Sequence, residues 1–213
     1  MNSTAELRTP RRPYRQTARA KAAEATADRI LEAFAARLRD GWFDEIRLDD
    51  VARDAGVAVQ TIIRRFGGKE GLLDATVERV RDEVLGRRDV AAGDVAGAIR
   101  VLIEDYEALG DLVLRSLAQE DRYPAIRRMT DVGRAEHRAW IAHVFSPWLA
   151  TLPPDVAQAR LDSLVVATDL YVWKLIRRDM ARPVAELKAL MARLIPAALA
   201  GSPFPLPVLE SCP

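Results

Sequence analysis

The chain has 213 residues, of which 49% are hydrophobic, 30% charged and 6% aromatic, and its formal net charge at pH 7 is +1. That balance excludes a wholly disordered chain and, with no run of about 18 uncharged apolar residues, it excludes a helical membrane span. Ala, Leu, Arg, Glu and Asp far outnumber the β-branched and aromatic strand formers, so the composition predicts an all-α fold of one large or two small domains.

The single cysteine, Cys212, rules out an intrachain disulfide and a cysteine-based metal site. Residues 1–23 hold Arg8, Arg11, Arg12, Arg15, Arg19 and Lys21 against Glu6, a net +5. No apolar stretch follows these basic residues to form a secretory signal, so a cytoplasmic protein with no membrane partner is expected. The basic segment 1–24 reads as a flexible arm, either a solvated leader or a tail that touches phosphates.

From Thr26 to Arg39, apolar residues at Ala27, Ile30, Leu31, Phe34 and Leu38 recur at helical spacing, and Gly41 supplies a stop. A short second helix is predicted over Leu48–Ala55, with Asp49 and Asp50 near its positive end and Gly56 closing it. A third, over Ala58–Phe66, follows at once and ends at Gly67-Gly68. Two helices joined by three or four residues around a glycine form the helix-turn-helix pattern. On a helical wheel Val59, Ile62, Ile63 and Phe66 fall together, while Gln60, Thr61, Arg64 and Arg65 fall opposite, a face with no acid among donors suited to base edges and phosphates.

The stretch 29–80 resembles the N-terminal domain of the tetracycline-repressor-like (TetR) family of transcriptional regulators. The resemblance lies in the first helix, then the turn Val51, Ala52, Ala55, Gly56 and Val57, then Thr61, Phe66, Lys69, Glu70, Leu72 and Leu73 in order. It implies that the third helix enters the major groove, with Gln60, Thr61, Arg64 and Arg65 on bases and phosphates, Val59 against a thymine methyl and Lys69 on a phosphate. Three positions depart from the family pattern: Ile63 replaces a phosphate-contacting Tyr, while Arg47 and Ala58 replace a Thr and a Ser that cap the second and third helices. A missing cap costs about 0.5 to 2 kcal/mol, and Arg47 offers a phosphate contact of its own.

Beyond Leu72, a fourth helix is predicted to Arg87, then helices over Asp94–Leu109, Asp111–Glu120, Ala125–Phe145, Asp155–Met180 and Val184–Leu199, separated by glycine or proline. The resemblance implies a helical effector-binding and dimerisation domain over 72–200, after a DNA-binding domain at 25–71. The last thirteen residues, 201–213, contain four prolines and read as a disordered tail.

Two of these helices are unusually apolar, one through Leu161, Val165, Thr168 and Val172, the other through Leu187, Leu190, Met191 and Leu194. Filling the chain's own core would account for their burial; a second copy would account as well for two reading heads on a palindromic or near-palindromic operator. Tyr106, His137, Trp140, His143 and Tyr171 bring aromatic and polar groups into aliphatic helices, the mixture used by a small-molecule cavity and equally by aromatic core packing. Asp169, a lone acid in an apolar run, suits an interface hydrogen bond.

The sequence holds no phosphate-cradling G-x-x-x-x-G-K, no G-x-S-x-G and no H-E-x-x-H, and His137 and His143 are six apart, on different helix faces. No enzymatic activity, cofactor or metal is expected. The reading is a homodimeric repressor that binds operator DNA and is released by an unknown small-molecule effector. The alternative is a helical ligand-binding or scaffolding protein with a vestigial helix-turn-helix, which Ile63 and the lost caps favour.

Overall fold

The computed structural model describes residues 12–200, with side chains from Arg19 onward. Cys212, the 1–11 part of the predicted arm and the predicted tail at 201–213 lie outside the described residues. Every regular element in the described span is helical, and the chain divides after Thr76 into two compact units.

The first unit comprises α1 (Arg12–Asp40), a 3-10 turn at Phe43–Glu45, α2 (Leu48–Ala55), α3 (Val59–Phe66) and the start of α4 (Lys69–Arg87). Its core draws Ala27, Ile30, Phe34 and Leu38 from α1, a stripe at three- and four-residue spacing, with Val51, Ala52 and Ala55 of α2, Ile62 of α3, and Leu72 and Leu73 of α4. Polar bonds hold α2 along α1: Arg37 Nε donates to Asp54 at 2.6 Å and Arg29 Nε to the Ala55 carbonyl at 3.3 Å.

Helix α1 is longer than the apolar periodicity predicts. It begins at Arg12, so residues 12–24, assigned to the arm by their charge, are helical. The segment buries nothing from Arg19 to Ala25 and therefore shows no amphipathic signal. Its alanines, arginines and lysine are strong helix formers.

The second unit contains the rest of α4, then α5 (Val95–Leu117), α6 (Pro124–Val144), α7 (Ser146–Leu149), α8 (Pro154–Ala167), α9 (Leu170–Lys174), a π-helical turn at Leu175–Asp179 and α10 (Val184–Ala200). Leu102 of α5, Ile141 and Val144 of α6, Leu164 of α8, Trp173 of α9 and Leu187 and Met191 of α10 are sealed in one core. The end of α4 is fastened by the buried Asp105 of α5, which accepts from Arg87 Nε at 3.0 Å and Arg88 Nε at 2.7 Å.

Two predicted boundaries differ. Gly110 does not end a helix: α5 runs through it, because the glycine is buried against the Trp173 ring and serves packing. The predicted Asp155–Met180 helix breaks at Thr168 and Asp169. There the Thr168 hydroxyl bonds back to the Leu164 carbonyl at 2.7 Å, the Asp169 carboxylate caps α9 by accepting from the Tyr171 N–H at 2.8 Å, and the freed Thr168 carbonyl accepts from the Tyr106 hydroxyl at 2.9 Å.

Candidate nucleic-acid interface

The turn between α2 and α3 is three residues, Gly56, Val57 and Ala58. Gly56 adopts the left-handed conformation with φ 65°, which strains any residue bearing a Cβ, and the Val57 N–H closes the turn on the Ala52 carbonyl at 2.9 Å. Neither Arg47 before α2 nor Ala58 before α3 makes a side-chain cap, as their sequence implies. Asp49 and Asp50 in the first turn of α2 compensate its dipole, and Asp50 also pairs with Arg53 at 2.6 Å.

Helix α3 is anchored by Ile62, which is fully buried, and Phe66, half-buried. Gln60, Ile63 and Arg64 are exposed at adjoining positions, with Val59 and Thr61 half-buried beside them. The helical wheel places Ile63 on the packed side; in the structure it is 43% exposed and belongs to the open face. Ile62 and Phe66 suffice to seat so short a helix, which leaves Ile63 no core to enter.

Two other candidates are held by their own chain. Arg65 lies on the flank of α3, where its guanidinium donates to the Ala23 carbonyl of α1 at 2.8 Å. Lys69, at the start of α4, donates to the Asp44 carbonyl at 3.1 Å with its ammonium 4.5 Å from the centre of the Phe43 ring. Burial lowers the pKa of Lys69 below the ordinary lysine value, and the Asp44 carboxylate acts in the opposite sense. The tie between Arg65 and α1 has no signature on a wheel of α3, because it depends on a helix turn 42 residues away.

In the second unit, most candidate effector contacts are engaged within the chain. Tyr106 donates to the Thr168 carbonyl, Trp140 Nε1 donates to the Arg88 carbonyl at 2.8 Å, and His143 Nε2 lies 3.2 Å from the Val90 carbonyl. Tyr171 is 58% exposed and points away from the core. His137 is different. Its Nε2 is 3.2 Å from the Thr168 hydroxyl, which already donates to Leu164, so Nε2 carries the proton and the buried Nδ1 is left as an acceptor without a partner. Burial, and then the Arg88 charge, depress the His137 pKa to about 4, against the raising effect of the Val165 backbone.

The interface candidates divide. Thr168, Leu187 and Met191 are buried in the chain's own core. Leu161, Val165, Val172 and Leu190 are half-buried, and Leu194 is exposed. Further large apolar side chains open to solvent here are Val166, Tyr171, Leu175, Met180 and Val184. Asp169 caps α9.

Among the described residues, no group of three His, Cys, Asp or Glu side chains could hold a metal ion, and no helix is long and apolar enough to cross a membrane. The geometry defines a class: a helix-turn-helix unit followed by an all-helical unit. Residues 30–76 match the family model described as bacterial regulatory proteins, tetR family.

Solved structures share the fold over most of the chain. One is a candidate transcriptional regulator from Pseudomonas aeruginosa PAO1, 19% identical, covering 82% of this chain and 90% of that one with a TM-score of 0.61. Another is a transcriptional regulator from Rhodococcus sp. Rha1, 18% identical, covering 81% of this chain and 95% of that one with a TM-score of 0.62. A comparison with curated proteins gives no match.

Proposed function

We propose that the protein is a homodimeric, sequence-specific DNA-binding transcriptional regulator, a repressor released by a small-molecule effector. The observation that carries this reading is the open face of α3. Gln60 and Arg64 stand exposed beside Thr61 and Ile63 on a helix seated by Ile62, with no acidic residue on α3 to repel phosphate. Gln60 suits an adenine edge, Arg64 a guanine edge or phosphate, and Val59 and Ile63 thymine methyls. Arg47 and Lys69 flank the face as phosphate contacts, Lys69 by exchanging the Asp44 carbonyl for a phosphate oxygen, and Arg65 sets the position of α3 from its flank.

Dimerisation is supported by the exposed apolar residues of 166–194, which a second copy would cover through Leu194 and Val166 with Leu161, Val165, Val172 and Leu190 around them. For the effector, the support narrows to His137, whose unpaired Nδ1 suits a neutral ligand carrying an N–H or O–H donor. Such a ligand would release DNA only by the difference in its affinity for the two conformations, typically about 1 to 3 kcal/mol.

Fluorescence anisotropy tests the reading. Purified protein is titrated against a duplex from upstream of its own gene and a scrambled duplex, across salt concentrations. Preference for the upstream duplex with two subunits per site is the expected result. Equal weak binding to both duplexes, repeated with a library of random duplexes, favours the second reading, a helical ligand-binding protein with a vestigial helix-turn-helix, for which exposed Ile63 and the uncapped α3 speak.

A further inference from the structure

The stripe of α1 that forms the core of the first unit, Leu38, Phe34, Ile30 and Ala27, does not stop where burial stops. Continued toward the N-terminus at the same three- and four-residue spacing, it passes through Ala23 and then Arg19, Arg15 and Arg12. One line along the helix thus changes from apolar to basic at the point where the Arg65 guanidinium of α3 reaches across to the Ala23 carbonyl. Residues 12–23 contain Arg12, Arg15, Arg19 and Lys21 and no acid.

Among the residues of α1 whose side chains are described, none before Ala27 is buried. Residues 12–25 precede the first buried residue of α1, Ala27, and at 1.5 Å per residue extend the helix by about 21 Å. From Arg19 to Ala25 every residue is exposed. Arg12 to Arg19 spans about 10 Å of helix, the axial rise of about three phosphates along one DNA strand. Through Arg65 the basic line is continuous with the flank of the same short helix whose open face is proposed to read bases.

We propose that residues 12–23 form a second nucleic-acid contact, a helical extension whose Arg12, Arg15 and Arg19 follow the phosphates of duplex DNA beside the site read by α3. The inference rests on the DNA-binding reading and adds to it a sequence-independent share of the affinity. Charge complementarity and continuity with α3 select duplex DNA as the occupant.

The test compares full-length protein with three variants: R12A/R15A/R19A, R12K/R15K/R19K, and R64A. Each is titrated by anisotropy against the upstream and the scrambled duplex from 50 to 200 mM salt. The alanine triple should bind both duplexes more weakly by the same factor. Its slope of log K against log salt should be shallower by about 2.7 for each bound protomer, at 0.9 per phosphate contact. The lysine triple should keep the wild-type slope, because it keeps the charge. R64A should lose preference for the upstream duplex while keeping most of the slope.

An unchanged slope and affinity in the alanine triple overturns the inference, as does a lysine triple as weak as the alanine one. If R64A still abolishes preference in either case, the DNA-binding reading stands alone. Wild-type protein that binds neither duplex at any salt overturns both. Circular dichroism guards the comparison: Arg19 is exposed and alanine is the strongest helix former, so all variants should melt as wild type does.

Discussion

A Cβ placed on Gly110 of α5 would lie 2.5 Å from the ring of Trp173 on α9, closer than any side chain can approach. The indole is fully buried, donates through Nε1 to Glu107 at 2.7 Å and carries the Arg178 guanidinium 4.4 Å from its centre. Glu107 also accepts from Arg177 at 2.7 Å, and Arg178 meets Asp111 through two bonds of 2.8 Å. One face of α5 thus fixes the short helix and the π-helical turn after it. Gly110→Ala should therefore lower stability by about 1 to 3 kcal/mol, since the clash is with a ring locked on three sides. Urea unfolding measures this; a variant as stable as wild type would show that α9 moves aside freely.

Asp105 is the buried anchor for the end of α4. Its carboxylate is only 4% exposed, as against 13% for Arg88 and 46% for Arg87. Asp105→Ala leaves the Arg88 guanidinium desolvated without a counter-charge, and a cost of about 3 kcal/mol is expected. Arg87→Ala, whose side chain is half in water, should cost under about 1 kcal/mol. Equal losses in the two variants would contradict this division.

The depressed pKa of His137 has a defined pH signature. The imidazole takes a proton near pH 6.5 in the unfolded chain and only near pH 4 in the fold. Between those values the unfolded state binds more protons, so stability is full above about pH 6.5 and falls as the pH falls toward 4. Between pH 7 and pH 5 the loss amounts to about 2 kcal/mol. In His137→Gln, whose amide can still donate to Thr168, that part of the pH dependence should disappear. Urea midpoints of both proteins at pH 7 and pH 5 check the prediction, and parallel shifts would refute it.

On α3, Arg64→Ala should cost about 1 to 3 kcal/mol of binding to the preferred duplex without changing the melting temperature. Arg65→Ala removes the bond to Ala23 and should act through the placement of α3, lowering stability of the first unit together with affinity. A preferred duplex bound equally by wild type and Arg64→Ala would remove this residue from the reading face.

The proposed dimer depends on exposed apolar side chains of the second unit. Leu194 is 36% exposed and Val166 67% exposed, so a charge at either disturbs a monomer little and a dimer severely. Sedimentation of Leu194→Glu and Val166→Glu should show folded monomers where wild type shows dimers. A dimer surviving both substitutions would place the interface on another surface. Leu187→Glu is a poor probe, because that side chain is sealed in the chain's own core.

The helix-turn-helix was legible in the sequence because its information is local. Val51, Ala52 and Ala55 recur within one short helix, Gly56 must take a left-handed φ, and Ile62 and Phe66 mark the seat of α3, so spacing alone places the turn and the helix that follows it. The missing caps at Arg47 and Ala58 were equally readable from residue type. Helix α1 before Thr26 was not, since periodicity detects burial and the residues from Arg19 to Ala25 bury nothing.

What only the tertiary structure decided is how residues far apart share a place. Gly110 reads as a stop until Trp173, 63 positions on, is seen against it, and the Thr168 carbonyl meets the Tyr106 hydroxyl across 62 positions. Leu187 and Met191 carry the same apolar signal as Leu194, because hydrophobicity records that a side chain avoids water without recording which surface shelters it. The Arg65 guanidinium meets the Ala23 carbonyl, a tie that α3 alone does not reveal. Sequence determined the helix-turn-helix and the chemistry of α3; packing determined how the longer helices run and which side chains remained free to meet anything else.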